Sequence, residues 1–175
     1  YEAIGKEIDL PITLYLNPGP GADVSIPDTI ALAKLPCIEL VKESSRDLAR
    51  VSRLIVEIDH AGHAKYNTTM QMLLATLMLG GSGVTMPPPG CEIARHIIDA
   101  FVAKDFERAA QVQLDYALFP ARWMHRGLAP AMKAALDLIG IPSGAPYPPY
   151  SSLTADEVKG LKEVLKKTAL GHRIS

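Results

Sequence analysis

The chain has 175 residues, of which 48% are hydrophobic and 21% charged, too much apolar surface for a disordered polymer. Its 18 Lys and Arg nearly cancel its 19 Asp and Glu, leaving a net charge of −1; that excludes the broad field that draws nucleic acid or an anionic membrane. No apolar run is long enough to read as a membrane span, and two cysteines, Cys37 and Cys91, make neither a disulfide framework nor a C-x-x-C, so a reducing cytoplasm is expected.

Tyr1 to Ile8 reads as the last turns of a helix already under way, ended at Asp9-Leu10-Pro11. With no initiator Met before it, the chain is expected to be the C-terminal portion of something longer. Pro11 to Leu16 has the pattern of a strand, stopped by Asn17-Pro18-Gly19-Pro20-Gly21, where prolines lack N–H donors and glycines permit positive φ. Pro27-Asp28 opens a helix to about Lys34. Ile38-Glu39-Leu40-Val41-Lys42 is the second strand, in which Glu39 fits badly with an apolar environment. Ser44 and Ser45 are candidate caps for the next helix, whose Leu48, Val51, Ser52 and Ile55 share a face. His63 to Tyr66 is a weak third strand. Thr68 or Thr69 then caps an apolar helix that ends at Gly80-Gly81. Gly83 to Met86 is the fourth strand, stopped by Pro87-Pro88-Pro89-Gly90.

Strands centred near residues 14, 40, 65 and 85, with helices between them, form the βαβ pattern of a parallel sheet. After them only helical patterns follow, at about Glu92–Lys104, Asp105–Arg126, Pro130–Ile139 and Ala155–Leu170. Asp105 is a plausible N-cap, and Thr154-x-x-Glu157 has the form of a capping box. Pro142 to Tyr150 is an extended, proline-rich connector whose composition is shared by rigid linkers and SH3 ligands. Four βα units are half of an eightfold barrel, which needs about 250 residues when whole, or a small open α/β sheet.

Lys42 is the most informative residue. It ends an apolar strand, and in a parallel α/β protein the carboxyl ends of strands are where sites form. Burial disfavours a charged amine and frees a lone pair for attack on a carbonyl; the plainer reading is a lysine snorkelling past the strand end. Tyr15 sits near the end of the neighbouring strand, where its hydroxyl can shuttle protons or can be a hydrogen-bonded core group. His60-x-x-His63 has the spacing of two metal ligands but no third, so no metal is expected.

Five segments, in order, resemble the dihydrodipicolinate synthase/N-acetylneuraminate lyase family of class I aldolases. Leu14-Tyr15-Leu16-Asn17-Pro18 is similar to its tyrosine strand. Val41-Lys42-Glu43-Ser44-Ser45 resembles its K-[ED]-[AS]-[ST] lysine strand. Leu79-Gly80-Gly81-Ser82-Gly83-Val84 is similar to its L-G-[AG]-x-G-V segment. Asp105-Phe106-Glu107-Arg108-Ala109 and Leu128 to Leu136 resemble its C-terminal helices. The resemblance covers essentially the whole chain and begins at the family's fifth strand. It implies the second half (strands 5–8) of a TIM (β/α)8 barrel over residues 1–104, followed by a C-terminal helical region over residues 105–175.

It further implies that Lys42 forms an imine with pyruvate or a small 2-oxo acid, that Tyr15 relays protons, and that Thr85 lies beside the bound acid and acts mostly through its backbone. The implied activity is that of a Schiff-base aldolase or lyase without a cofactor. The partners are a 2-oxo acid and either a homo-oligomer or the other half of the barrel. Two departures bear on this. The family's synthases carry an arginine five residues after the tyrosine, and here that position is Pro20. A G-[DN]-[DE] segment is replaced by Tyr66-Asn67-Thr68-Thr69. Both lead to the expectation that the chain is not a true dihydrodipicolinate synthase. The competing expectation is a catalytically inactive half-barrel that serves as a structural partner, because the family's carboxylate-binding loop belongs to the first half.

Overall fold

Side chains alternate across a strand, so a strand that buries one face shows a two-residue period. Ile12–Leu16 (β1) has it: Leu14 and Leu16 are buried, and Thr13 and Tyr15 are exposed. The computed structural model describes residues 1–17, 23–118 and 125–174. The turn expected at Pro18 to Gly21, with Pro20, lies outside the described residues. Ile38–Glu43 (β2), Lys65–Thr68 (β3) and Gly83–Val84 (β4) complete a four-stranded parallel sheet in the order β1-β2-β3-β4. Each strand therefore pairs with its neighbour in sequence, as successive βα units require.

The chain divides into two compact units, Tyr1–Thr85 and Met86–Ser175. In the first, a short helix Glu2–Glu7 (α1) precedes β1. Helix Ile26–Ala33 (α2) begins at Ser25, whose hydroxyl accepts from the Asp28 N–H at 3.2 Å, with Pro27 in its first turn. Helix Leu48–Leu54 (α3) runs on as a π-helical segment, Ile55–His60. Its cap is Asp47 and not Ser44 or Ser45: Asp47 Oδ1 accepts from the Ala49 and Arg50 N–H groups at 2.9 and 3.3 Å. Its buried stripe is Val51, Leu54, Ile55 and Ile58, which leaves Leu48 exposed. Those residues follow the i, i+3, i+4, i+7 rule, and they pack with Leu14, Leu16, Ile30, Ala33, Ile38, Val41 and Tyr66 to form the core on one face of the sheet.

A 3-10 turn, Met70–Met72, leads into helix Leu73–Met78 (α4). Neither Thr68 nor Thr69 caps it through its side chain. Instead the Thr68 hydroxyl meets that of Thr76 at 2.6 Å, and Thr76 Oγ1 donates to the Met72 carbonyl at 2.8 Å. β4 is shorter than the sequence pattern predicts. The ladder continues only as far as Thr85, whose N–H donates to the Thr68 carbonyl at 2.9 Å, because Pro87 to Pro89 bring no donors. Glu39 is exposed at the entry of β2, which removes the misfit seen in its pattern.

The second unit contains no strand among its described residues. Helix Cys91–Val102 (α5) buries Ile93, Ala94 and Ile97. The sequence reading groups it with the barrel half, whereas by contacts it lies in this unit and packs on Phe106–Gln113 (α6). Asp105 caps α6, accepting from the Arg108 N–H at 3.0 Å. Asp115–Leu118 (α7) follows, and the rest of the helix expected to reach Arg126 falls partly on residues outside those described. Leu128–Leu138 (α8) leads through the extended connector to Ala155–Leu165 (α9). The Thr154/Glu157 capping box is formed. α9 ends at Leu165, short of Leu170, where the Thr168 hydroxyl turns back to the Leu165 carbonyl at 2.7 Å. Among the described residues no helix is long and apolar enough to cross a membrane.

Candidate active site

Parallel pairing brings one residue of each strand into a single row: Tyr15 opposite Lys42, Lys42 opposite Asn67, Asn67 opposite Gly83. Side chains in such a row project from the same face of the sheet. For Tyr15 and Lys42 this is the face opposite the helix-packed core, since Leu14, Leu16, Val41 and Glu43 are the buried residues of these two strands' ends. Tyr15 is 58% exposed and Lys42 is half-buried. The Lys42 Nζ lies 4.6 Å from the centroid of the Tyr15 ring, within cation–π range. It also donates to Ser44 Oγ at 2.6 Å. The two residues singled out from the sequence are thus direct neighbours at the carboxyl ends of adjacent strands.

Thr85 stands just past β4, exposed, with its N–H committed to Thr68. A backbone contact from Thr85 to a ligand therefore falls to its carbonyl. Gly83 has φ +158°, and a Cβ there would approach Asn67 Oδ1 at 3.4 Å. Asn67 and Ser44 also border Lys42, although the sequence pattern offers Ser44 only as a helix cap and Asn67 no place at the site. The signal was available: Asn67 follows from counting register across β2 and β3, and Ser44 from its place two residues after Lys42.

Behind the row, on the helix-packed face, is a buried polar cluster. Glu43 is fully buried. Its Oε1 accepts from the Ser45 N–H at 2.8 Å, and its Oε2 accepts from Arg50 Nε at 2.9 Å. Arg50 also donates to the Val24 carbonyl at 3.0 Å and to Thr29 Oγ1 at 3.4 Å. The Tyr66 hydroxyl, buried nearby, has no hydrogen-bond partner among the described residues. Burial first, and then the charge of Glu43, hold its proton on well above the usual phenol range. His60, one of the two histidines with the spacing of metal ligands, has its Nε2 3.3 Å from the Gly80 carbonyl. Among the described residues no three His, Cys, Asp or Glu side chains gather as metal ligands.

The sequence is similar to two proteins named 4-hydroxy-tetrahydrodipicolinate synthase. The one from Halalkalibacterium halodurans is 31% identical over 93% of this chain and 56% of its own length. The one from Methanospirillum hungatei is 32% identical over 95% of this chain and 58% of its own. This chain thus spans little more than half the length of the relatives it matches. Two solved structures show the same fold. A prophage protein of the dihydrodipicolinic acid synthase family from Escherichia coli K12, in complex with pyruvate, superposes with a TM-score of 0.79 at 24% identity, covering 95% of this chain and 58% of that one. An N-acetylneuraminate lyase from Mycoplasma synoviae gives 0.77 at 23%, covering 96% and 57%. The names of the sequence relatives give no support to the expectation that the activity departs from that of a dihydrodipicolinate synthase. The model of the dihydrodipicolinate synthetase family matches residues 1–168, and the chain, with its parallel α/β sheet, belongs to that family.

Proposed function

We propose that this chain carries the imine-forming part of a class I lyase or aldolase acting on pyruvate or a small 2-oxo acid. On this reading its sheet is strands five to eight of an eightfold barrel, residues 1–104, with residues 105–175 as a helical extension. The observation that carries the proposal is the pairing of Tyr15 with Lys42 on one face, with the lysine Nζ seated 4.6 Å from the ring centroid.

In the proposed chemistry the Lys42 amine adds to the keto carbon of the acid. A lysine in water is almost wholly protonated at neutral pH, so the site must desolvate the amine or take its proton. Tyr15 protonates the departing hydroxyl of the carbinolamine, which leaves as water, and the C=N bond forms. The imine then draws electrons from C3, so that a bond at C3 breaks or forms through an enamine. Thr85 contributes its carbonyl beside the acid. The acid's carboxylate needs a further binding loop, which the family's first four strands supply; orientation of this kind is worth about 7–11 kcal/mol of barrier in favourable systems. For the second substrate, the relatives' name and the chain's own residues pull apart: position 20 is proline and brings no guanidinium to a second carboxylate.

Incubating the natural full-length gene product with pyruvate and borohydride tests the reading. One ligand mass, as a secondary amine, should appear on the peptide containing Lys42, and Lys42→Arg should abolish it, because a guanidinium does not add to ketones. Trapping by no 2-oxo acid, or equal trapping in the variant, would leave the inactive structural partner as the better reading.

A further inference from the structure

Resting on that reading, we infer that the buried Glu43–Arg50 pair is a positioning device for Lys42, which fixes the Ser44 hydroxyl at the lysine amine while cancelling its own charge beneath the site. Lys42 and Glu43 are consecutive in β2 and project to opposite faces. Glu43 is held at both oxygens. One accepts from the Ser45 N–H and the other from Arg50 Nε. The first bond folds the chain back directly after the strand. Together with the Ser44 N–H bond to the Leu16 carbonyl at 2.9 Å, it places Ser44 Oγ 2.6 Å from Lys42 Nζ. The second bond ties the same carboxylate to α3, and through Arg50 to Val24 and Thr29. A movement of α2 or α3 is thereby passed to the turn that carries Ser44.

Charge gives the second half of the argument. A fully buried carboxylate one residue from a nucleophilic amine would favour the ammonium, and a lone guanidinium would oppose it. As a 2.9 Å pair, with Arg50 only 12% exposed, they nearly cancel. Tyr15 from β1 and Lys65 from β3 are on the side of Lys42, and Lys65 is exposed and 3.9 Å from Asp59. Tyr66 from β3 faces Glu43, and burial keeps it neutral.

The test is competitive acetylation of individual lysines across pH, read by peptide mass spectrometry on the folded full chain. It needs no 2-oxo acid, so it is separate from trapping, and a failure to trap pyruvate in the wild type counts against the function and not against this inference. Glu43→Gln, which leaves Arg50 uncompensated, should move the half-maximal pH for Lys42 acetylation downward. Arg50→Met, which leaves Glu43 uncompensated, should move it upward. A unit charge roughly 10 Å away, at an effective dielectric constant of about 20, is worth about 1 pH unit. A structural lesion would not reverse sign between the two. Shifts in the same direction, or none in folded variants, overturn the inference. Should either variant fail to fold, Glu43→Asp keeps the charge but retracts the carboxylate from the turn. It should slow acetylation of Lys42 several-fold in the wild-type background and have no further effect in Ser44→Ala. Equal slowing in both backgrounds overturns the inference as well.

Discussion

The hydroxyl chain Thr68–Thr76–Met72 makes a prediction about the support of β3 that depends on which atom donates. Thr76 has one hydroxyl proton, and it goes to the Met72 carbonyl at 2.8 Å. The 2.6 Å contact between the two hydroxyls must therefore use the Thr68 proton. Thr76→Val, an almost isosteric change, removes the acceptor and leaves the buried Thr68 hydroxyl with only a 3.5 Å contact to the Thr69 carbonyl. An orphaned buried donor costs about 1–3 kcal/mol. Thr68→Val removes one bond but leaves Thr76 bonded to Met72, so it should cost only about 0.5–1.5 kcal/mol. At the last position of β3, valine's strand preference offsets part of that. The double variant removes donor and acceptor together and should cost clearly less than the sum of the singles. Urea unfolding of the three variants, compared at constant slope, measures all of this. A larger loss for Thr68→Val than for Thr76→Val, or strict additivity, would refute the assigned direction of the hydroxyl chain.

Tyr15→Phe should leave borohydride trapping at Lys42 possible but slow it, together with turnover, by roughly 10²–10⁴-fold, as for a lost general acid–base group; unchanged single-turnover rates would remove Tyr15 from the chemistry. Glu157 has an acid dependence with a definite sign. The Arg126 guanidinium first, then the Thr154 N–H and His125, hold its carboxyl at about 2 against an ordinary 4.5. Because the folded value is the lower one, its contribution is complete above about pH 4.5 and is lost as the pH falls through about 2. Melting temperatures of wild type and Glu157→Gln should therefore differ at neutral pH and converge near pH 2; a constant gap would contradict the pairing.

The four strands and the shared face of Tyr15 and Lys42 were legible because they rest on short-range pattern. Apolar runs bounded by proline and glycine fix strand ends, and the two-residue period fixes faces. Tertiary competition was not legible. Ser44 and Ser45 look like caps, yet the Ser44 hydroxyl is taken by Lys42, the Ser45 hydroxyl accepts from the Asp47 N–H just ahead of the helix, and Asp47, three residues before Arg50, caps it. Thr68 looks like a cap, but a buried partner on α4 claims its hydroxyl. Glu39 drew attention as the acid in an apolar strand, while the buried acid is Glu43, whose partner lies seven residues on in the next helix. Only the packing of α3 against the sheet brings that pair together.

The opposite charges at the end of β2 also bear on how the sheet finds its pairing. Parallel strands can slide by one residue, and such a slip exchanges the faces of every side chain. In β2 it would carry the Lys42 ammonium into the pocket already holding the Arg50 guanidinium and turn the Glu43 carboxylate out beside Tyr15. Two cations would then share a dry space. A two-residue slip keeps the faces but breaks the Ser44 N–H bond to the Leu16 carbonyl and draws Glu43 away from Arg50. Consecutive lysine and glutamate thus make the slipped alignments costly before the sheet is complete, so a charge order that serves the finished site also proofreads the pairing as the chain folds.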